Sequence, residues 1–403
     1  MISRILLKNT LAQFLSRGLF IFVSFLLVRI ITETFGKEGY GIYGFVTALV
    51  LFFAMLADWG TQVITVRETS IGQGSWLGYS ARVRLFGTAF SFRLLLSILS
   101  FFLLNIAVRV YGPWQEFVVP VSIASFVLFF LSIKTSVFIV LQSILRLDLV
   151  ALVETGGAIA FFMFVLFFLN LGLNGVLLGW VLGTCVVSLL AWIVARRNVN
   201  LRLLADKAAL LRIIKGALPM GTLLLVFSVY NRIDVVLLEH FRGIGDVGVY
   251  NLAYKIHENL VLGAAFLMNT LFPLLSKSLG DKEKTRQLYT RSFGIIGGVG
   301  FLASLLFLFL ASPTIYVLTG SKFEEFGGSV TALRILVFAT LFSYFNHLTG
   351  FALIALGKQS TALIVGVSAL IGNLILNLIF IPHYSYIAAA GITVITELFI
   401  FVV

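Results

Sequence analysis

Apolar residues in this chain fall into long runs, each about as long as a helix needs to cross a bilayer, and no other feature limits the fold as strongly. Twelve such runs can be drawn: 10–31, 41–58, 86–108, 117–141, 150–169, 174–195, 216–238, 247–273, 292–317, 333–354, 360–381 and 386–403. Backbone N–H and C=O groups in hydrocarbon find no water, so each run must satisfy its own as a helix. The expected fold class is an all-α polytopic membrane protein with about twelve transmembrane helices. Composition agrees, since 11% of the residues are charged, whereas soluble domains carry about 25%. The first run is too long for a signal-peptide core, and residues 35–39 after it lack a small-x-small cleavage site, so it reads as a retained span. The last run ends at Phe401-Val402-Val403 with no polar tail, which suggests a chain cut short of its natural C-terminus.

The formal net charge of +12 invites a nucleic-acid reading, but the basic residues sit mostly in short loops between the runs. With the N-terminus inside, the inner loops hold 18 of the 29 lysines and arginines, and the outer loops hold only Lys37, Arg109, Arg242 and Lys322. That bias places the N-terminus in the cytoplasm, and topology rather than a nucleic-acid partner explains the charge. The lone cysteine, Cys185, lies inside an apolar run, so neither a disulfide framework nor a cysteine metal site is available.

Sliding the chain on itself by 207 residues aligns Lys8 with Lys215, Gly36 with Gly243, Gly41 with Gly248 and Tyr43 with Tyr250. The shared pattern is a basic entry, a span, a tight Gly-x4-Gly-x-Tyr outer turn and a second span. The offset is near half the length and equals six spans, as in transporters built from two parallel repeats. The expected domains are a first lobe, 1–195, a basic cytoplasmic linker, 196–215, and a second lobe, 216–403.

The stretch Leu211-Arg212-Ile213-Ile214-Lys215-Gly216-Ala217-Leu218-Pro219, followed by Tyr230-Asn231-Arg232-Ile233-Asp234 and Gly245-Asp246-Val247-Gly248-Val249-Tyr250-Asn251-Leu252-Ala253-Tyr254-Lys255, resembles the second-lobe start of polysaccharide-biosynthesis flippases. These form the O-antigen and polysaccharide transporter branch of the multidrug/oligosaccharidyl-lipid/polysaccharide exporter superfamily. Tyr40-Gly41-Ile42-Tyr43, Leu141-Gln142-Ser143-Ile144-Leu145-Arg146 and the run from Asn373 to Pro382 fit the same family in order and spacing. The resemblance implies two six-helix lobes around a central cavity that opens alternately inward and outward. It also implies a polyprenyl-diphosphate carrying sugars as substrate, with other polysaccharide-assembly membrane proteins as candidate partners. The chain departs from the family where His383-Tyr384-Ser385-Tyr386 replaces the usual glycine before the final span, and many relatives have fourteen spans.

Ionisable groups inside spans cost at least a few kcal/mol each, so they are expected to face a cavity or a partner. Arg17, Arg93 and Lys134 each lie about seven residues from an inner span end, which puts them at one depth, roughly 10 Å in. Such a cationic layer suits a diphosphate, and the planar guanidinium grips phosphate oxygens through paired N–H donors. Snorkelling of Arg17 and Arg93 to the inner surface is the alternative, and Lys134 has Glu154 within reach as an ion-pair partner. In the second lobe Arg232 and Lys255 complete the candidate diphosphate-binding set. Asp234 and Lys255 lie at similar distances from the turn near Gly243 and can meet across the helix pair, or Lys255 can pair with Glu258 one helical turn away. Glu154, Asp234, Glu258 and Glu397 are candidates for salt bridges or for coupling to a proton or sodium ion, with Glu397 the most isolated acid. Asp58 is expected to face water, and His257 and His347 to make helix or cavity contacts rather than bind metal. No metal or other cofactor is expected.

Two other functions remain in view. A membrane polymerase or transferase needs room for an active site, and the longest outer connection is 318–332. A cation-coupled drug exporter of the same superfamily would favour acids in its cavity, but the spans hold seven bases against five acids. No Walker A pattern is present, so the chain has no ATPase site of that kind. The sequence is best read as a flippase, not an enzyme, that moves a lipid-linked oligosaccharide from the inner to the outer leaflet.

Overall fold

A computed structural model describes residues 2–71, 79–144, 146–196, 202–278, 281–356 and 358–403. Linker positions 197–201 and the side chain of Lys8 lie outside what is described. Among the described residues the chain is helical and contains no strand. The α-helices are α1 (Ile2–Asp58), α2 (Thr61–Ile71), α3 (Tyr79–Val110), α4 (Val118–Ala124), α5 (Val127–Ser143), α6 (Leu147–Phe168), α7 (Leu173–Ala195), α8 (Lys207–Arg242), α9 (Ile244–Ser278), α10 (Lys282–Thr319), α11 (Gly327–Ala355) and α12 (Gln359–Val402). Short 3₁₀ turns at Gly112–Phe117, Leu169–Leu171 and Gly320–Phe326 join several of them.

Helix length shows why some of these elements must break. The 57 residues of α1 would span about 85 Å if straight, far beyond the ~30 Å of hydrocarbon. The chain reverses instead at Gly36, which adopts φ 63°, ψ −165°, a region that essentially only glycine enters without strain. In α12 the same kind of break falls on Ser385, at φ 53°, ψ −138°. This is the stretch where the sequence departs from the glycine usual in the family it resembles, and the serine hydroxyl is held there by the Asp246 carboxylate. Among the described residues, seven stretches are long and apolar enough to cross a membrane, and three of them, Leu15–Val66, Lys282–Ala355 and Ser360–Val402, are long enough to cross more than once. With α8 and α9, at 36 and 35 residues, the arrangement is compatible with twelve passages. The protein is thus an all-α polytopic membrane protein.

The chain divides into two compact units: Met1–Val28 with Val46–Ser228, and Arg29–Phe45 with Val229–Val403. In the first, α3, α5, α6 and α7 share a core that includes Phe86, Phe90, Phe138, Leu141, Val153 and Ala191. The start of α8 belongs to this unit, with Ile213 packed against Leu85 and Ala89. Residues ahead of it are docked on α3, where the Leu204 N–H donates to Ser91 Oγ at 3.0 Å and the Asp206 N–H to Thr88 Oγ1 at 3.2 Å. Asp206 also accepts from the Ala209 N–H at 2.8 Å and so caps the first turn of α8. In the second unit, Ala264, Met268, Ile296, Tyr344 and Leu348 bind α9, α10 and α11 together. Outward positions remain apolar, as lipid requires: Phe102, Phe167 and Phe309 are all exposed.

The 207-residue repeat has a physical counterpart inside the second unit. A Cβ on Gly41 would collide with the Ile244 carbonyl oxygen, and one on Gly248 with the Lys37 carbonyl oxygen. Gly41 and Gly248 are repeat mates, as are Lys37 and Ile244, so two related helix segments cross through matching contacts. Small residues permit such close backbone approach where lipid supplies no hydrophobic drive between helices. Gly41→Ala or Gly248→Ala should force this crossing apart and destabilise the protein by about 1–3 kcal/mol. The check is thermal unfolding in detergent, and an unchanged midpoint for both variants would refute the contact.

Candidate functional site

Most charged side chains within the spans are paired. In the first unit Arg93 is 3% exposed and forms an ion pair with Asp58. The same Nη1 donates to Thr61 Oγ1 at 2.9 Å. Asp58 follows the last turn of a span and was expected to face water; instead it neutralises Arg93, because a guanidinium so deeply buried needs a counter-charge. Arg93 therefore has its charge met within the protein. Lys134 Nζ lies 3.9 Å from Glu154 Oε1 and 5.3 Å from the centre of the Phe138 ring. Arg17 is exposed and has no ion-pair partner among the described residues. Its neighbour Ser16 binds α1 to α6, donating to the Ala151 carbonyl at 3.0 Å and accepting from Thr155 Oγ1 at 2.9 Å. Thr155 adjoins Glu154, so this contact brings the Arg17 turn of α1 to the Lys134–Glu154 pair. Of the three cations expected at one depth, Arg17 and Lys134 share a neighbourhood and Arg93 is committed elsewhere.

In the second unit Arg232, Lys255 and Glu258 cluster on the α8–α9 hairpin. Arg232 Nη2 contacts Glu258 Oε1, and Lys255 Nζ lies 3.9 Å from Glu258 Oε2, so one carboxylate lies between two cations. The Arg232 guanidinium also sits over the Tyr254 ring, 5.4 Å from its centre, a favourable cation–π placement. Side-chain exposures of 24% for Arg232, 34% for Lys255 and 32% for Glu258 leave this cluster only partly covered by its own unit. Of the two partners expected for Lys255, the structure selects Glu258.

Asp234 does not meet Lys255. Its Oδ2 accepts the Tyr250 hydroxyl, its Oδ1 accepts the Val235 N–H at 2.8 Å, and Tyr250 in turn lies 3.4 Å from Thr393 Oγ1. Glu397 is not isolated either: Tyr230 donates to Oε1 at 2.9 Å and Asn346 Nδ2 to Oε2 at 2.7 Å. His257 makes the expected helix contact, with Nδ1 2.8 Å from Thr340 Oγ1. Tyr250, Tyr230, Asn346 and Thr393 escaped sequence reasoning because hydroxyl and amide donors are unremarkable within apolar runs. Tyr250 carried a signal as the repeat mate of Tyr43, and Tyr230 only as the first residue of a family-like motif.

Comparison with known proteins places the chain. The family model described as polysaccharide biosynthesis protein matches residues 6–279. The chain belongs to this family. A second model, MatE, matches residues 219–379. The protein described as "Probable flippase AglR" of Haloferax volcanii is 29% identical over 170 residues, which is 41% of this chain and 35% of that one. An uncharacterised membrane protein of Methanocaldococcus jannaschii, MJ1375, is 25% identical over 48% of this chain and 45% of its own length. The chain thus spans less than half the length of these curated relatives. Among solved structures, the lipid II flippase MurJ in an inward closed conformation superposes with a TM-score of 0.79 at 15% identity, covering 98% of this chain and 86% of MurJ. An inward-facing multidrug resistance MATE transporter of the MOP superfamily gives 0.77 at 15% identity, covering 98% of this chain and 93% of its own. This member of the polysaccharide biosynthesis family therefore has the fold of MOP-superfamily transporters.

The Arg93–Asp58 pair yields a stability prediction for the protein. Asp58→Asn strands a buried guanidinium and should destabilise by roughly 3 kcal/mol, whereas the paired change Arg93→Met with Asp58→Leu should recover most of that loss. Melting curves of the three purified proteins decide it, and a double variant no better than Asp58→Asn would contradict this role.

Proposed function

We propose that this protein is a flippase that carries a polyprenyl-diphosphate-linked oligosaccharide from the inner to the outer leaflet by alternating access, for surface-polysaccharide assembly. One observation carries the reading: Arg232 and Lys255, from the two helices of one hairpin, converge on a partly exposed site within a membrane protein. A diphosphate spreads its charge over several oxygens, and a guanidinium beside an ammonium supplies both directional donors and a point charge to match. Family membership and the flippase description of the Haloferax relative support a flippase in polysaccharide biosynthesis, and the fold shared with the lipid II flippase MurJ is consistent with it. Moving the lipid makes and breaks no covalent bond, so the assignment is transport rather than catalysis. The loop bias in lysine and arginine supports a cytoplasmic N-terminus, and family membership supports an inner-membrane chain. The other partners would be the membrane proteins that make and polymerise the saccharide.

Among the candidate acids, Asp234 suits coupling to a proton or sodium ion best. Glu154 and Glu258 have basic partners, and Glu397, held like Asp234 by neutral donors, is the less buried of the two. Asp234 is buried, accepts only neutral donors and has no base at ion-pair distance among the described residues. Such an acid can change its charge or bind a cation without first breaking an ion pair.

Reconstitution tests both parts. Transfer of a fluorescent polyprenyl-diphosphate oligosaccharide in proteoliposomes should require the protein, saturate with substrate and fall at least tenfold in Arg232→Ala/Lys255→Ala. Asp234→Asn should retain transfer down a substrate gradient but lose its response to an imposed proton or sodium gradient. The match to the MatE model makes the drug exporter the alternative, and transport of lipophilic cations without lipid transfer would establish it instead.

A further inference from the structure

Resting on the flippase reading, we infer that Glu258 is an internal counter-ion that occupies the anion site of Arg232 and Lys255 when no substrate is bound and is displaced by the diphosphate. The geometry carries this. Glu258 Oε1 faces Arg232 and Oε2 faces Lys255 at 3.9 Å, so the carboxylate reaches both cations much as two oxygens of a bound anion would. A structural salt bridge needs only one base; here two bases share one acid, and all three side chains stay about a quarter to a third exposed.

The arrangement solves a transport problem. Two adjacent cations left bare in a low-dielectric span repel each other and carry a heavy desolvation cost. Such a pair would also hold a diphosphate too tightly to release it on the far side. Glu258 neutralises one charge in the empty site, gives way when the more highly charged diphosphate arrives, and competes for the same donors as it leaves. Tyr254 lies under the Arg232 guanidinium and holds its plane while the partner changes. Glu258 therefore sets affinity and release without being the group that grips the substrate.

Binding and transfer measured on the same full-length variants test this. Geranylgeranyl diphosphate is the probe in detergent, with geranylgeraniol as the uncharged control. Glu258→Gln keeps the shape and loses the charge, so it should bind the diphosphate about tenfold more tightly than the unmodified protein while leaving the alcohol unaffected. Lipid transfer in proteoliposomes should fall severalfold because release slows. Should Glu258→Gln fail to fold, Glu258→Asp replaces it; its shorter arm cannot reach both cations and should give a smaller gain in affinity. If Glu258 merely orients Arg232, either variant would bind the diphosphate less tightly or equally, and that result overturns the inference alone. Failure of the unmodified protein and all variants to bind the diphosphate would overturn the flippase reading and this inference with it.

Discussion

Hydrocarbon cannot solvate a charge or an unpaired peptide group, and the structure is organised around that fact. It makes every long apolar run a helix and forces the longest helices to reverse at residues with positive φ, Gly36 and Ser385. It also dictates what happens to the charges. Arg93 is met by Asp58, Lys134 by Glu154, and Arg232 with Lys255 by Glu258. These pairs differ in exposure, and exposure separates their roles. The Arg93–Asp58 pair is closed off by burial at the end of a span. The Arg232–Glu258–Lys255 group stays partly exposed and places two bases on one acid.

Much of the fold was legible because the bilayer imposes a simple rule on sequence. Run length gives helices, and the Gly-x4-Gly-x-Tyr repeat gave a symmetry that the structure expresses as the Gly41–Gly248 crossing. The departure at residues 383–386 was also visible, and Ser385 now holds the conformation a glycine would take, tethered by Asp246. Sequence spacing did less well for partners. Depth along a helix can be counted from residue number, which is why Arg17, Arg93 and Lys134 looked like one layer. Rotation about the helix axis and the direction of a long side chain cannot be counted that way. Arg93 therefore turned to Asp58, which had been read as solvent-facing, and Asp234 turned to Tyr250 rather than Lys255.

Neutral donors explain the other gap. Tyr250 bonds Asp234, and Tyr230 with Asn346 bonds Glu397, so two acids in the second unit have no basic side chain at ion-pair distance among the described residues. A tyrosine or asparagine in an apolar run gives no sign that a carboxylate lies across from it on a distant helix. The sequence identifies the charged groups, while the fold decides which are neutralised by charge and which only by hydrogen bonds. That distinction bears directly on function, since groups of the second kind can gain or lose a cation with little rearrangement.

The central claim is that Arg232 and Lys255 bind an anionic lipid headgroup. An electron cryo-microscopy map of the full chain with a bound polyprenyl diphosphate tests it most directly. The account predicts phosphate density against Arg232 and Lys255, with the Glu258 side chain turned away from both. Phosphate density elsewhere, with the Glu258 contacts intact, would contradict it.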